Sequence, residues 1–379
     1  MFLRLKEEQM QNSYALAAAI ALSIGCAMVQ PPLRAAAGPI LPGSESAMAQ
    51  PPLRIVAGSI LPGSDSASGR DNTEIPRIYG QIQPAIIRTG GGGWKVLEPA
   101  KGVYDWTEFD NMLAHNTVTN FQNTGPDMAW LTNVPQPILM FVVFQPPAFY
   151  TNSQADYIAG ECAFVKAVLL HAPHRIQIVE FINEPWYDWT PQCTNWQDSA
   201  RFTANLATAV RATAQSIDST VRIAGPSRAV PYDNNFFSVF AANGGFEACD
   251  IVTFHDYRMT GTGRDNAKTY TPYQNYGPNM PNLAECKANC DKWSGGKPVC
   301  VSELGLGTPE NVIAYVIIAQ RKGIWALCPS YWLGPATNLW ECNYWDAASD
   351  QPKPNGRAFL ATVRALNYTV TMPTSQSAH

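Results

Sequence analysis

The sequence has no apolar stretch long enough to cross a bilayer. The best candidate, Ala15 to Val29, has 15 residues, short of the roughly 18 that a spanning helix needs. Lysine and arginine are never clustered, and the formal charge is −4. The electrostatic footprint of a nucleic-acid binder is therefore missing, and no nucleic-acid partner is expected. Charged residues are few at 15%, against 46% hydrophobic, which leaves no compositional case for disorder. The four glycines Gly90 to Gly93 lack the Lys-Ser/Thr that would follow in a phosphate loop, and they read as a tight loop above Arg88. Cys286, Cys290 and Cys300 have no histidine or second close cysteine pair nearby, so a disulfide is favoured over zinc. Neither a metal nor a cofactor is expected. What the chain does have is aromatic residues: 11 Trp, 15 Tyr and 15 Phe. Several Trp lie beside Gly, Pro or acidic residues, where an exposed ring stacks on a flat ligand face such as a sugar.

The first fifty residues read as something other than fold. Arg4 and Lys6 precede the apolar run, the pattern of a secretory h-region, which places the mature protein outside the cytoplasm. Nine cysteines become eight if Cys26 leaves with that segment, an even number that suits disulfides in an exported protein. Gln30 to Ala47 repeats at Gln50 to Ala67, with 14 of 18 positions identical. Two copies do not make a solenoid. The second has the β-branched pair Ile55-Val56 where the first has Ala35-Ala36, so the second is the better strand. The expected organisation is a secretion signal at 1–29, a spacer at 30–49 and a monomeric catalytic domain at 50–379.

From Leu53 onward, short β-branched runs alternate with helical patterns, the signature of βα units and a parallel sheet. The expected strands are Leu53–Gly58, Ala85–Thr89, Ile138–Phe144, Ile176–Ile182, Val221–Gly225, Ile251–His255, Pro298–Ser302 and Ile324–Trp332. Between them, Phe202, Leu206, Val210 and Ile217 recur at helical spacing, and Pro309 and Gly323 suit the start and end of another helix. Eight such units predict an α/β fold, a single (β/α)8 TIM barrel with its site at the C-terminal strand ends. A doubly wound open sheet is the competing topology.

Two acidic residues stand where apolar strands should reach that face: Glu184 in Asn183-Glu184-Pro185-Trp186, after the fourth strand, and Glu303 in Ser302-Glu303-Leu304-Gly305, after the seventh. With His255-Asp256-Tyr257 after strand six and Trp332 at the end of strand eight, the chain resembles the retaining glycoside hydrolases of clan A. The stretch from Trp94 to Pro99 and from Gly102 to Trp106 is similar to the second βα segment of families 5 and 39. The resemblance implies that Glu184 is the acid/base and Glu303 the nucleophile of a double displacement at a β-glycosidic bond of a glucan, mannan or xylan. It implies that Asn183 binds the sugar 2-hydroxyl and that Trp332 floors the subsite. His255, Tyr257, Trp186, Arg88 and Trp94 complete the expected substrate-binding set. Apolar and aromatic neighbours such as Trp186 would keep Glu184 protonated, and Tyr257 and Arg88 would keep Glu303 ionised. The competing reading is a transglycosylase or a carbohydrate-binding pseudoenzyme on the same barrel; transfer would use the same intermediate.

Overall fold

A computed structural model describes residues 53–57, 82, 84–90, 92–115, 138–185, 193–228, 234–256, 283–305, 309–329, 345–346 and 351–371. The chain divides into two units at Ala49/Gln50, and every described residue belongs to the second. Eight parallel strands close into a barrel: β1 Arg54–Ala57, β2 Ile86–Thr89, β3 Ile138–Val142, β4 Ile178–Glu180, β5 Arg222–Arg228, β6 Ile251–Asp256, β7 Val299–Leu304 and β8 Ala326–Pro329. Each pairs with its successor, and β1 pairs with β8 through Arg54↔Ala326 and Ile55↔Leu327. The fold is a (β/α)8 barrel, and the open sheet is excluded by that last pairing.

The barrel follows from period-two alternation. Ile86, Ile138, Met140, Ile178, Ala224, Ile251, Cys300, Ala326 and Cys328 form one buried cluster inside the strands. Their sequence neighbours Ile87, Leu139, Phe141, Val179, Ile223, Val252, Val301 and Leu327 belong to a second, which packs outward against the helices. The first helices are α1 (Trp94–Leu97) and α2 (Thr107–His115), followed by the longer α3 (Gln154–His171) and α4 (Trp196–Ile217). These last two start on sequence-readable caps: Ser153 accepts from the Asp156 N–H and Asn195 from the Asp198 N–H, which satisfies donors that the first turn leaves orphaned. Phe202, Leu206 and Val210 are buried on one face of α4 as expected. Further along, α5 (Asn234–Ala242) and α6 (Gly245–Ala248) follow β5, and α7 (Leu283–Ser294), α8 (Pro309–Arg321) and α9 (Pro354–Thr371) follow β6, β7 and β8. Pro309 opens α8, and Gly323, at φ 67°, lies just past its end.

Two expectations are corrected. No disulfide joins any two of the described cysteines; Cys286 and Cys290 are buried on α7 and Cys300 and Cys328 inside the barrel. They serve as small apolar groups, and burial pushes the thiols of Cys249, Cys290, Cys300 and Cys328 up. Several strand ends also differ. β5 runs on to Arg228 and β7 to Leu304, because both carry register shifts, at Pro226/Arg228 and at Val301/Leu304, that extend pairing past the regular alternation. Among the described residues no helix is long and apolar enough to cross a membrane.

Candidate active site

At the C-terminal mouth, the inward-facing series change chemistry. Two residues beyond Ile86 stands Arg88; two beyond Ile178 stands Glu180; four beyond Ile251 stands His255. Each lies on a strand whose apolar part fills the barrel, so the strand itself aims a polar group at the mouth. Glu303 reaches the same place by the β7 irregularity: Val301 and Leu304 both pack outward, and Glu303 between them takes register with His255 of β6. Asn183 and Glu184 follow β4, and Glu184 adopts φ 48°, with its N–H donating to the Ser227 carbonyl at 3.2 Å.

Arg88 is the hub. Its Nε donates to Glu180 Oε2 at 2.5 Å, its Nη1 to Glu303 Oε1 at 2.8 Å and its Nη2 to Asn183 Oδ1 at 2.9 Å. Burial works against its positive charge, but Glu180 and Glu303 outweigh burial and hold the guanidinium firmly charged. His255, fully buried, is the second centre. Its Nδ1 lies 2.7 Å from Glu184 Oε1 and 3.4 Å from Glu303 Oε2, and its Nε2 lies 2.9 Å from Ser227 Oγ. Ser227 Oγ in turn donates to Glu180 Oε1 at 3.1 Å. The result is a closed ring of contacts, His255, Ser227, Glu180, Arg88, Glu303 and back to His255, with Glu184 joined to it through His255 Nδ1. Burial lowers the proton affinity of His255, the charges of Glu303 and Glu184 raise it, Arg88 opposes them, and the balance leaves the imidazole above its ordinary value.

The structure therefore brings together five of the nine residues singled out from sequence: Arg88, Asn183, Glu184, His255 and Glu303. Trp186, Tyr257 and Trp332 lie outside the described residues. Trp94 does not join the site. It is fully buried, stacked between Tyr150 and Phe164 at 5.2 and 5.3 Å, and its Nε1 donates to Glu98 at 2.6 Å. That ring packs under the β2–α1 connection and presents no face to a ligand. The loop before it is tight for a steric reason: a Cβ on Gly90 would stand 1.9 Å from Phe144. Sequence reasoning missed Glu180 and Ser227. Glu180 carried a usable signal, since an acid on the inward series of a barrel strand must meet a partner.

Glu184, His255 and Glu303 each offer an atom within 4.8 Å of the others, a donor set that by composition could hold a metal ion. Arg88 already places a positive charge on the Glu303 carboxylate.

The sequence matches no family model and no curated protein. Its fold does match solved structures. A β-xylosidase from Caulobacter crescentus CB15 superposes with a TM-score of 0.56 at 16% identity over 84% of this chain and 68% of that one. A broad-specificity endoglucanase from Clostridum cellulovorans gives 0.54 at 12% identity, over 83% and 93%. An exo-β-1,4-mannosidase from Opitutaceae bacterium strain TAV5 gives 0.55 at 15%, over 85% of this chain and 61% of that one. The barrel is one that glycoside hydrolases share. At these identities the likeness speaks of fold, and the chemistry must be argued from the mouth of the barrel.

Proposed function

We propose that this protein is a retaining β-glycosidase in which Glu303 is the nucleophile and Glu184 the acid/base. The observation that carries the reading is the spacing of the two acids: an oxygen of each lies within 4.8 Å of the other, on opposite sides of a barrel mouth. Retaining enzymes hold their carboxyl groups ~5–5.5 Å apart so that one can attack directly, whereas inverting enzymes leave ~6.5–9.5 Å for a water. Arg88 engages Glu303 Oε1, and Oε2 is assigned the attack. As Oε2 bonds to the anomeric carbon, Glu184 gives a proton to the departing glycosidic oxygen; in the second step Glu184 takes a proton from water, which displaces Glu303. Asn183 has its carbonyl oxygen committed to Arg88, so what it offers a sugar hydroxyl is its NH2. The fold neighbours named as xylosidase, endoglucanase and mannosidase support a β-linked glucan, mannan or xylan as the substrate class, and the apolar run behind Arg4 and Lys6 supports export.

A panel of defined β-linked oligosaccharides with product analysis by NMR tests the reading. The expected first product is the β-anomer; Glu184→Gln lowers hydrolysis by about 10²-fold or more, the scale of a lost proton-transfer group, and Glu303→Gln, which removes the nucleophile, lowers it at least as far. A first-formed α-anomer would rule out direct attack by Glu303, and an active Glu303→Gln variant would remove it from the site.

A further inference from the structure

Ser227 carried no motif, yet it joins three parts of the site. Its carbonyl accepts the Glu184 N–H, its own N–H donates to Thr253 Oγ1 at 3.0 Å, and its hydroxyl lies between Glu180 Oε1 and His255 Nε2. It is fully buried and holds φ 53°, a left-handed conformation that costs a non-glycine residue about 1 kcal/mol or more and persists only where its surroundings enforce it.

A serine hydroxyl has one proton to give and lone pairs to receive with. Glu180, in its ion pair with Arg88 Nε, offers acceptors only, so the Ser227 proton goes to Glu180 Oε1. Towards His255 the hydroxyl then presents a lone pair, and His255 Nε2 must carry the N–H. That assignment fixes the other side of the ring. In the neutral imidazole Nδ1 is a bare lone pair, and it faces Glu184 Oε1 at 2.7 Å.

We infer that Ser227, oriented by Glu180, is a positioning residue that locks His255 in its Nε2–H tautomer, so that Glu184 and His255 Nδ1 hold one shared proton for the leaving group. The inference rests on the acid/base reading of Glu184. On delivery, the proton passes to the glycosidic oxygen while the bond from that oxygen to the anomeric carbon breaks and its electron pair stays with the oxygen. Glu303 Oε2 forms the new bond to carbon. Glu184 is left as a carboxylate opposite a lone pair, with Glu303 Oε2 also near Nδ1 until it is consumed. That arrangement is unfavourable, and the proton of the attacking water relieves it in the second step.

The lock therefore makes the pair hold its proton to higher pH. Among the described residues, the groups facing His255 include Glu184 and Glu303, which favour the proton, Arg88 of β2, which opposes it, and Ser227 of β5 with Glu180 of β4 behind it. Without the hydroxyl, the ring is released to carry its proton on Nδ1 instead. A deprotonated Glu184 then gains a donor, and the shared proton is lost earlier.

Two variants remove the hydroxyl: Ser227→Ala keeps the Cβ, and Ser227→Gly also relieves the positive φ while leaving the carbonyl that holds the Glu184 N–H. The readout is the tautomer of His255 by two-bond nitrogen–proton correlation on protein labelled with 15N-histidine, its signal identified by its loss in His255→Asn. Wild type is expected to show Nε2–H at pH above the loss of the shared proton. Both variants are expected to shift towards Nδ1–H, and the alkaline limb of kcat/KM to move down by about one pH unit, a tenfold change in the protonated fraction. A wild-type spectrum showing Nδ1–H overturns the inference even if neither variant folds. So do variants with an unchanged tautomer and alkaline limb. The spectra need no substrate, so a protein that cleaves no glycoside yet shows the tautomer change refutes the proposed function and leaves the lock standing.

Discussion

Arg88 spends three different nitrogens on three acceptors, and the shape of its planar fork is what allows one side chain to do so. A lysine would carry the same charge from a single nitrogen and could not reach Glu180, Asn183 and Glu303 together. Arg88→Lys therefore breaks at least one contact to a carboxylate and the contact to the amide. Glu180, with no exposure, is then left short of a partner in a place where water cannot replace it. The expected outcome in urea unfolding is a loss of about 3 kcal/mol, the sum of two hydrogen bonds to charged groups at roughly 1.5 kcal/mol each. An unchanged midpoint would mean that the ring of contacts tolerates a gap. At this scale the sequence was readable only where a residue type is rare in its setting. Glu184 and Glu303 stood out as acids after apolar strands, and their order along the chain paired them. Ser227 did not, because a serine in Ala-Gly-Pro-Ser is an ordinary turn composition and its role is created by neighbours 28 and 47 residues away. Trp94 was misassigned for the opposite reason: a tryptophan beside glycines reads the same whether its ring meets solvent or, as here, Tyr150 and Phe164.

The elements were the most readable level, since most strands are apolar runs whose alternation the barrel preserves, and α3 and α4 each start on a capping side chain. What composition hides is the exception inside an element. On α3, Glu161 has no exposure and neither of its carboxyl oxygens has a partner at hydrogen-bond geometry. The Tyr157 hydroxyl one turn earlier acts on it, yet burial dominates and pushes its carboxyl well above the ordinary value. The consequence for stability has a definite sign. Below the unfolded-state value of 4.5 the acid is protonated in both states and costs nothing extra. Above it the unfolded chain releases a proton that the folded protein keeps, so stability falls with rising pH by about 1.4 kcal/mol per unit until the folded carboxyl itself ionises. Glu161→Gln removes this term while preserving shape. Thermal unfolding of the two proteins should coincide at pH 4 and diverge at pH 7, with the glutamine variant the more stable. Equal midpoints at pH 7 would mean that Glu161 is solvated in the folded state.

At the scale of the whole molecule, closure depends on one short segment near the start of the barrel. β1 is four residues, Arg54–Ala57, and it is the strand that makes an open sheet into a barrel, pairing with β2 on one side and β8 on the other. Its Ile55 is buried in the layer between sheet and helices, and Arg54 lies over the Trp325 ring with 5.2 Å to the centroid. Ile55 is a position at which the duplicated segments differ: the first copy offers Ala35 there, and a methyl group buries far less apolar surface than a sec-butyl group. The duplication thus supplies an internal control. A chain starting at Gln50 keeps every described element and should match the thermal midpoint and activity of one starting at Gln30. A chain starting at Ser68 loses β1 and leaves β2, which carries Arg88, and β8 as two unpaired parallel edges. Exposed edges of this kind template association with other chains, so light scattering should show that protein aggregated and a glycosidase assay should show it inactive. A soluble, active protein beginning at Ser68 would mean that another segment closes the barrel. An inactive one beginning at Gln50 would mean that the first copy, for all its alanines, is part of the working structure.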